Sequence, residues 1–329
     1  MILGGCQPGA VLSAEGEEGT LPPVAADARE REIPMNGLSW FLAARSGNVE
    51  ALEAMVAEGT PVDQTGPGNE TALMAAAALG RTDAVAFLAE AGAELDRQDR
   101  AGFTALAHAV VHEQNSTSKL LLQLGASPHI PSAEGNAPLM FAAGGTSPTM
   151  VRILLDGGAE IDQTNASFGA GPLLQSMEGG NQEIVEVLLA RGADIEQRDR
   201  YDWSPLRKAA FLGHTMLVRR LMEAGADPAR KDRNGWAAIH WSVVGQHEDI
   251  LHILRDHVSP DSRTDEGKTP LMLAAERGFE TMVLALMKAG ADPDLHVTEE
   301  GVEITAAMLA ARNGHSAIEP LLQQHRATD

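Results

Sequence analysis

Apolar and small residues recur along this chain with a period of about 33 residues, and each period carries the same two helical stripes. The segment Thr71-Ala-Leu-Met-Ala-Ala-Ala77 has later copies beginning at Thr104, Ala137, Gly171, Ser204, Ala237, Thr269 and Thr305, with a degenerate first copy at Leu38. The intervals are 33, 33, 33, 34, 33, 33, 32 and 36 residues. Twenty-one residues after most of these starts stands a glycine: Gly59, Gly92, Gly125, Gly158, Gly192, Gly225 and Gly290. Such a period predicts a stack of one supersecondary unit, each copy burying its neighbour's apolar face. Stacks of this kind usually bind other macromolecules and rarely catalyse reactions.

The sixth copy shows the unit. Ser204 is a good helix N-cap and Pro205 suits the first helical position. Leu206, Ala209 and Ala210 form a short apolar stripe at helical spacing, and Gly213-His214 breaks the helix. A second helix follows with Leu217, Val218, Leu221 and Met222 on one face, and Gly225 supplies a left-handed C-cap. The polar stretch Lys231-Asp-Arg-Asn-Gly235 reads as a tight hairpin. The predicted fold is therefore an all-α repeat solenoid with β-hairpin fingers.

These residues resemble the ankyrin repeat, whose pattern appears here as Gly267-Lys-Thr-Pro-Leu-Met-Leu-Ala-Ala275, Gly213-His214 and Leu188-Leu-Ala-Arg-Gly-Ala-Asp194. The resemblance covers residues 36–325 in about nine copies, between a tether at 1–35 and a short tail at 326–329. It implies a concave face, made by fingers and first helices, on which family members commonly bind partners. Several positions depart from the pattern. The histidine after Leu survives only as His240, and Met replaces it at Met74, Met140, Met272 and Met308. His257 occupies the C-cap glycine position of repeat seven, where strain is expected. The finger before repeat nine carries three extra residues, and Gln323-Gln-His-Arg326 gives the last repeat the polar outer face of a terminal cap.

Composition narrows the reading. Only 4% of residues are aromatic, so the interior is filled by Ala, Leu, Val, Met and Ile. No run approaches the roughly 18 apolar residues of a membrane span. The formal charge of −21 argues against nucleic-acid binding, because phosphates are repelled. Residues 198–233 reverse that sign locally, with nine Lys or Arg against five acids.

Residues 7–35 are rich in Gly, Pro, Ala and Glu without a sustained period, and read as a disordered linker. Before them Leu3-Gly-Gly-Cys6 resembles the bacterial lipobox, which implies acylation of Cys6 and an envelope-tethered scaffold. Five residues precede this cysteine, against the roughly 7–15 apolar residues of a secretory signal. The alternative is a stray cysteine in the tail of a cytoplasmic protein.

Candidate chemistry is sparse. His108 and His112 share a helix face but lack a third metal ligand, and His247 and His252 miss the spacing of a zinc helix. No nucleophile elbow, phosphate loop or dinucleotide fingerprint occurs, so neither a metal nor another cofactor is expected. A hydrolase or metal-dependent enzyme using Asp, Glu and His of the concavity is the alternative. The stronger signal is a group of aromatic and basic residues on fingers and first helices: Phe103, Tyr201, Trp203, Arg207, Lys208, Trp236, His240 and Trp241. Trp, Tyr and Arg dominate binding hot spots. The expected function is a non-enzymatic module that engages a protein with an acidic or amphipathic surface.

Overall fold

The computed structural model describes residues 35–326; Cys6 and the rest of residues 1–34 and 327–329 lie outside that range. Among the described residues nine helix pairs are stacked side by side. The first helices are Met35–Ser46, Ala72–Ala78, Ala105–Val111, Pro138–Gly144, Pro172–Gly179, Pro205–Leu212, Ala238–Val244, Pro270–Arg277 and Ala306–Arg312. The second helices are Val49–Ala57, Thr82–Glu90, Asn115–Gln123, Pro148–Asp156, Gln182–Ala190, Thr215–Glu223, Glu248–Leu254, Glu280–Lys288 and Ile318–Arg326. Among the described residues no helix is long and apolar enough to cross a membrane.

Local chemistry sets each helix end. Thr71, Thr104, Ser204, Thr269 and Thr305 accept a hydrogen bond from the backbone N–H three residues on. In repeat seven Ala237 has no such hydroxyl, but its own N–H donates to His240 Nδ1 at 3.0 Å. Methionine sulfur takes over that acceptor role in two other repeats: the Thr71 N–H points at Met74 Sδ (3.4 Å) and the Thr269 N–H at Met272 Sδ (3.5 Å). The replacement of His by Met thus keeps a weak acceptor over an otherwise orphaned donor. The seven glycines counted from the starts all have positive φ, between 86° and 101°, and an added Cβ would meet nothing within 4 Å. Backbone conformation alone requires glycine there.

A column of leucines, one per layer from the second repeat onward, fills the space between the helix rows. Leu88, Leu121, Leu154, Leu188, Leu221, Leu254, Leu286 and Leu322 are all buried, and truncating any of them to Ala removes about 2–5 kcal/mol. The short, small-residue first helices approach one another more closely than the second helices do at nearly every step.

Two expectations change. The fingers are mostly tight turns, and among the described residues only the one before repeat nine forms a ladder, His296–Glu299 against Val302–Thr305. Its three extra residues lengthen both arms enough to pair. His257 does not adopt the left-handed conformation. The second helix of repeat seven ends early at Leu254, and the N–H groups of His257 and Val258 both donate to the Leu254 carbonyl. The missing residue of that repeat is absorbed by this tighter ending, which removes the strain.

Candidate partner-binding face

The fingers of repeats three, six and seven are built on one device. An aspartate carboxylate turns back and accepts the N–H groups two and four residues on: Asp99 from Ala101 and Phe103, Asp199 from Tyr201 and Trp203, Asp232 from Asn234 and Trp236, all within 2.8–2.9 Å. The turn fixes the ring just before each helix cap. At repeats six and seven this brings four rings together. Trp241 lies 4.6 Å from Trp203 and 5.0 Å from Trp236 between centroids, and Phe211 meets Trp241 edge-on at 5.8 Å and Trp203 at 5.5 Å. Trp203 also packs on Met140, Ala170 and Leu174 of the preceding layers.

Arg207 is threaded into this cluster. Its guanidinium carbon is 4.4 Å from the Trp203 ring centroid and 4.8 Å from that of Trp241. Nη1 bonds Asp232 Oδ2 at 3.0 Å and the Asp202 carbonyl at 2.6 Å. Only 8% of Arg207 is exposed. Burial lowers its pKa, opposed chiefly by the charges of Asp232 and Asp202, and an arginine starting so high stays protonated.

Asp202 adopts φ +68°, where five other fingers place Gly102, Gly135, Gly169, Gly235 and Gly267 at +72° to +86° and that of repeat two places Asn69 at +64°. A non-glycine residue there is strained. Its carboxylate accepts Arg198 Nη1 and the Arg233 N–H, each at 2.9 Å. Burial opposes ionisation, but these two bonds and the charges of Arg198 and Arg207 prevail and hold its pKa below the ordinary value. The result is an alternating chain, Arg198–Asp202–Arg207–Asp232, that ties two fingers to one helix.

A family model described as ankyrin repeats (3 copies) matches residues 40–132, 114–199, 139–232 and 206–297, together more than half of the chain. This chain belongs to the ankyrin-repeat family. It is also 32% identical over 114 residues to a protein of Treponema pallidum (strain Nichols) named as ankyrin repeat-containing. That match covers 34% of this chain and 38% of the relative's length. Ankyrin repeats are generally protein–protein interaction modules and typically non-enzymatic.

Within the ankyrin stack the expected site residues separate into three groups. Trp203, Trp236, Trp241 and Arg207 meet in the cluster just described. Tyr201 stands at the finger tip, 65% exposed, with its ring 6.3 Å from Phe168, itself 52% exposed. Of the remaining three only His240 touches the cluster, its ring 5.8 Å from that of Trp236. Phe103 packs instead on Phe141 (5.1 Å) and His108 (5.4 Å) in repeats three and four, and Lys208 pairs with Glu178. His240 is wholly buried: its Nδ1 accepts a backbone N–H, so Nε2 donates to the Ser262 carbonyl at 2.9 Å. Burial pushes its pKa down to about 4, leaving a neutral ring that supports the finger and touches no partner. Arg207, also buried and paired with Asp232, orients rings and does not present charge.

The basic island of the sequence is largely dispersed. Lys208, Arg220 and Arg230 pair with Glu178, Glu186 and Glu196, acids of the neighbouring layer that fall outside residues 198–233. His108 bonds Asp99 at 2.9 Å and His112 bonds the His108 carbonyl at 2.9 Å. Among the described residues no group of three or more His, Cys, Asp or Glu is placed to hold a metal ion. Sequence reasoning missed Asp202, Asp232, Phe211 and Phe168. Asp202 carried a usable signal, an aspartate in a column that is mostly glycine; the others look like ordinary turn or helix residues until the layers are superposed.

Proposed function

We propose that this ankyrin stack is a non-enzymatic protein-binding module that engages its partner on the concave, first-helix face at repeats five to seven. The observation that carries the reading is the ring cluster of Trp203, Trp236, Trp241 and Phe211, locked by the buried Arg207–Asp232 pair and continued at the finger tips by Tyr201 and Phe168. Half-buried rings held in place before binding lose little entropy when a partner arrives, which is how aromatic hot spots gain affinity. Three of the four tryptophans gather at this one surface, each partly exposed.

The test is quantitative capture from native extract on immobilised wild type, Tyr201→Ala, Trp203→Ala and a control. Met216→Ala is that control, because Met216 is 55% exposed on the second helix of repeat six, in the opposite row. Circular dichroism verifies that each variant keeps its helices. Proteins retained by wild type and control are expected to fall by roughly tenfold or more on the two face variants. Equal recovery on all four surfaces refutes the assignment.

A further inference from the structure

One position on the fingers forms a ladder of side-chain bonds running along the stack. It is the residue just before the turn-forming position: Gln98, Arg198, Lys231 and Arg263. Each donates to the backbone carbonyl of the residue at the same position one layer on. Gln98 Nε2 reaches the Pro131 carbonyl at 2.9 Å, Arg198 the Lys231 carbonyl at 3.3 Å, Lys231 Nζ the Arg263 carbonyl at 2.8 Å, and Arg263 Nη1 the His296 carbonyl at 3.0 Å. In the last three the donor is a cation. A carbonyl acceptor orders a charge without cancelling it, unlike the carboxylates that neutralise Lys208, Arg220 and Arg230. Asp199 and Asp232, next to Arg198 and Lys231, spend an oxygen on their own turn N–H groups, Asp232 adds the Arg207 pair, and Asp261, two residues from Arg263, accepts the Asp292 N–H. Among the described residues only Arg198 of the three cations has a carboxylate partner, Asp202.

We infer that Arg198, Lys231 and Arg263 form a rail for an extended acidic segment of the partner protein, lying along the stack with one carboxylate at every third residue. The spacing follows from geometry. Successive layers of packed helices are about 8–10 Å apart, and an extended chain advances about 3.3 Å per residue, so three residues span one layer. Arg200 and Arg233, both exposed, stand on the same fingers as the rail, and Tyr201 offers an apolar contact beside it. The chain as a whole, at −21, disfavours an acidic ligand, so what attracts one here is the local row of cations held on carbonyls. The inference rests on the proposed binding face and adds the chemistry of what binds there.

Gln98 shows how to test it without disturbing the fold. Its amide makes both bonds that Arg263 makes, one to the next finger and one to the carbonyl four residues on (Gly102 for Gln98, Gly267 for Arg263). Lys231→Gln and Arg263→Gln therefore remove charge and retain the hydrogen bonds. Fluorescence anisotropy with the full chain uses three probes: a labelled peptide of about ten residues with Glu at every third position, the same composition with its Glu residues contiguous, and a single-stranded oligonucleotide of similar charge. The spaced peptide is expected to bind roughly tenfold tighter than the contiguous one and to weaken as salt rises from about 50 to 200 mM. Each Gln variant is expected to weaken it roughly threefold. Equal binding of the two peptides, indifference to both substitutions, or tighter binding of the oligonucleotide overturns the rail. If that happens while Tyr201→Ala still abolishes capture, the face survives and only its acidic occupant is lost.

Discussion

Replacing Arg207 by Met removes a buried cation while keeping most of the volume between Trp203 and Trp241. What remains is an uncompensated Asp232 whose side chain is 3% exposed. Breaking a buried pair from one side costs about 3–5 kcal/mol. Asp232 retains N–H donors from Asn234 and Trp236 and the Trp241 indole at 3.4 Å, so the lower part of that range applies. Loss of the stacked cation adds on the order of 1 kcal/mol. The expected total is about 4 kcal/mol. Because Arg207 lies against Trp203 and Trp241, and Trp236 packs on Trp241, the fluorescence of these three of the four tryptophans in a urea titration reports this part of the stack, while circular dichroism reports all of it. With a slope of about 2 kcal/mol/M, the fluorescence midpoint falls by roughly 2 M. The dichroism midpoint moves less, since layers couple only to their neighbours. Adding Asp232→Asn neutralises the stranded charge and keeps an oxygen for the turn, so the double variant is expected to regain about half of the loss or more. A midpoint shift below about 0.3 M for Arg207→Met, or no recovery in the double variant, refutes the view that a buried ion pair locks the ring cluster.

Three further perturbations test other parts of the structure. His240 has a folded pKa of about 4 against an unfolded value of 6.5; the unfolded chain binds more protons between these values, so its contribution is intact above pH 6.5 and is lost as pH falls toward 4. From pH 7 to 5 that amounts to about 2 kcal/mol, and His240→Met, the residue repeats two and eight use there, is expected to flatten the urea-midpoint profile relative to wild type. Asp202→Gly relieves a strained φ worth about 1 kcal/mol but removes the acceptor of Arg198 and the Arg233 N–H; thermal melting is expected to change little while Arg233 amide exchange accelerates, and unchanged exchange refutes the coupling of the two fingers. Gly92→Ala meets no steric obstacle, so only its φ of +93° is penalised; a loss of about 1–2 kcal/mol by urea titration is expected, and none would mean the helix ending is not held in that conformation.

Much of this molecule is legible along one dimension. The period, helix caps, left-handed glycines and leucine column are local requirements of a helix pair: a cap needs a short hydroxyl, a left-handed ending needs glycine, and a buried stripe recurs every three to four residues. Any copy displays them, and nine in register fix the stack. The aromatic positions before the caps were equally readable, because Asp99, Asp199 and Asp232 place them by bonds to their own near neighbours.

What only the tertiary structure decided lies between layers. Arg207 and Lys208 are adjacent in sequence, yet one is sealed between two tryptophans and paired with Asp232, while the other reaches back to Glu178 of the previous repeat. Which charges cancel, which rings meet and which cations survive along the rail depends on residues about 20–35 positions apart being brought side by side. No pattern within one repeat encodes that neighbour, since the same local geometry accepts an Arg, a Met or a His at the Arg207 position and leaves its partner to the adjoining layer.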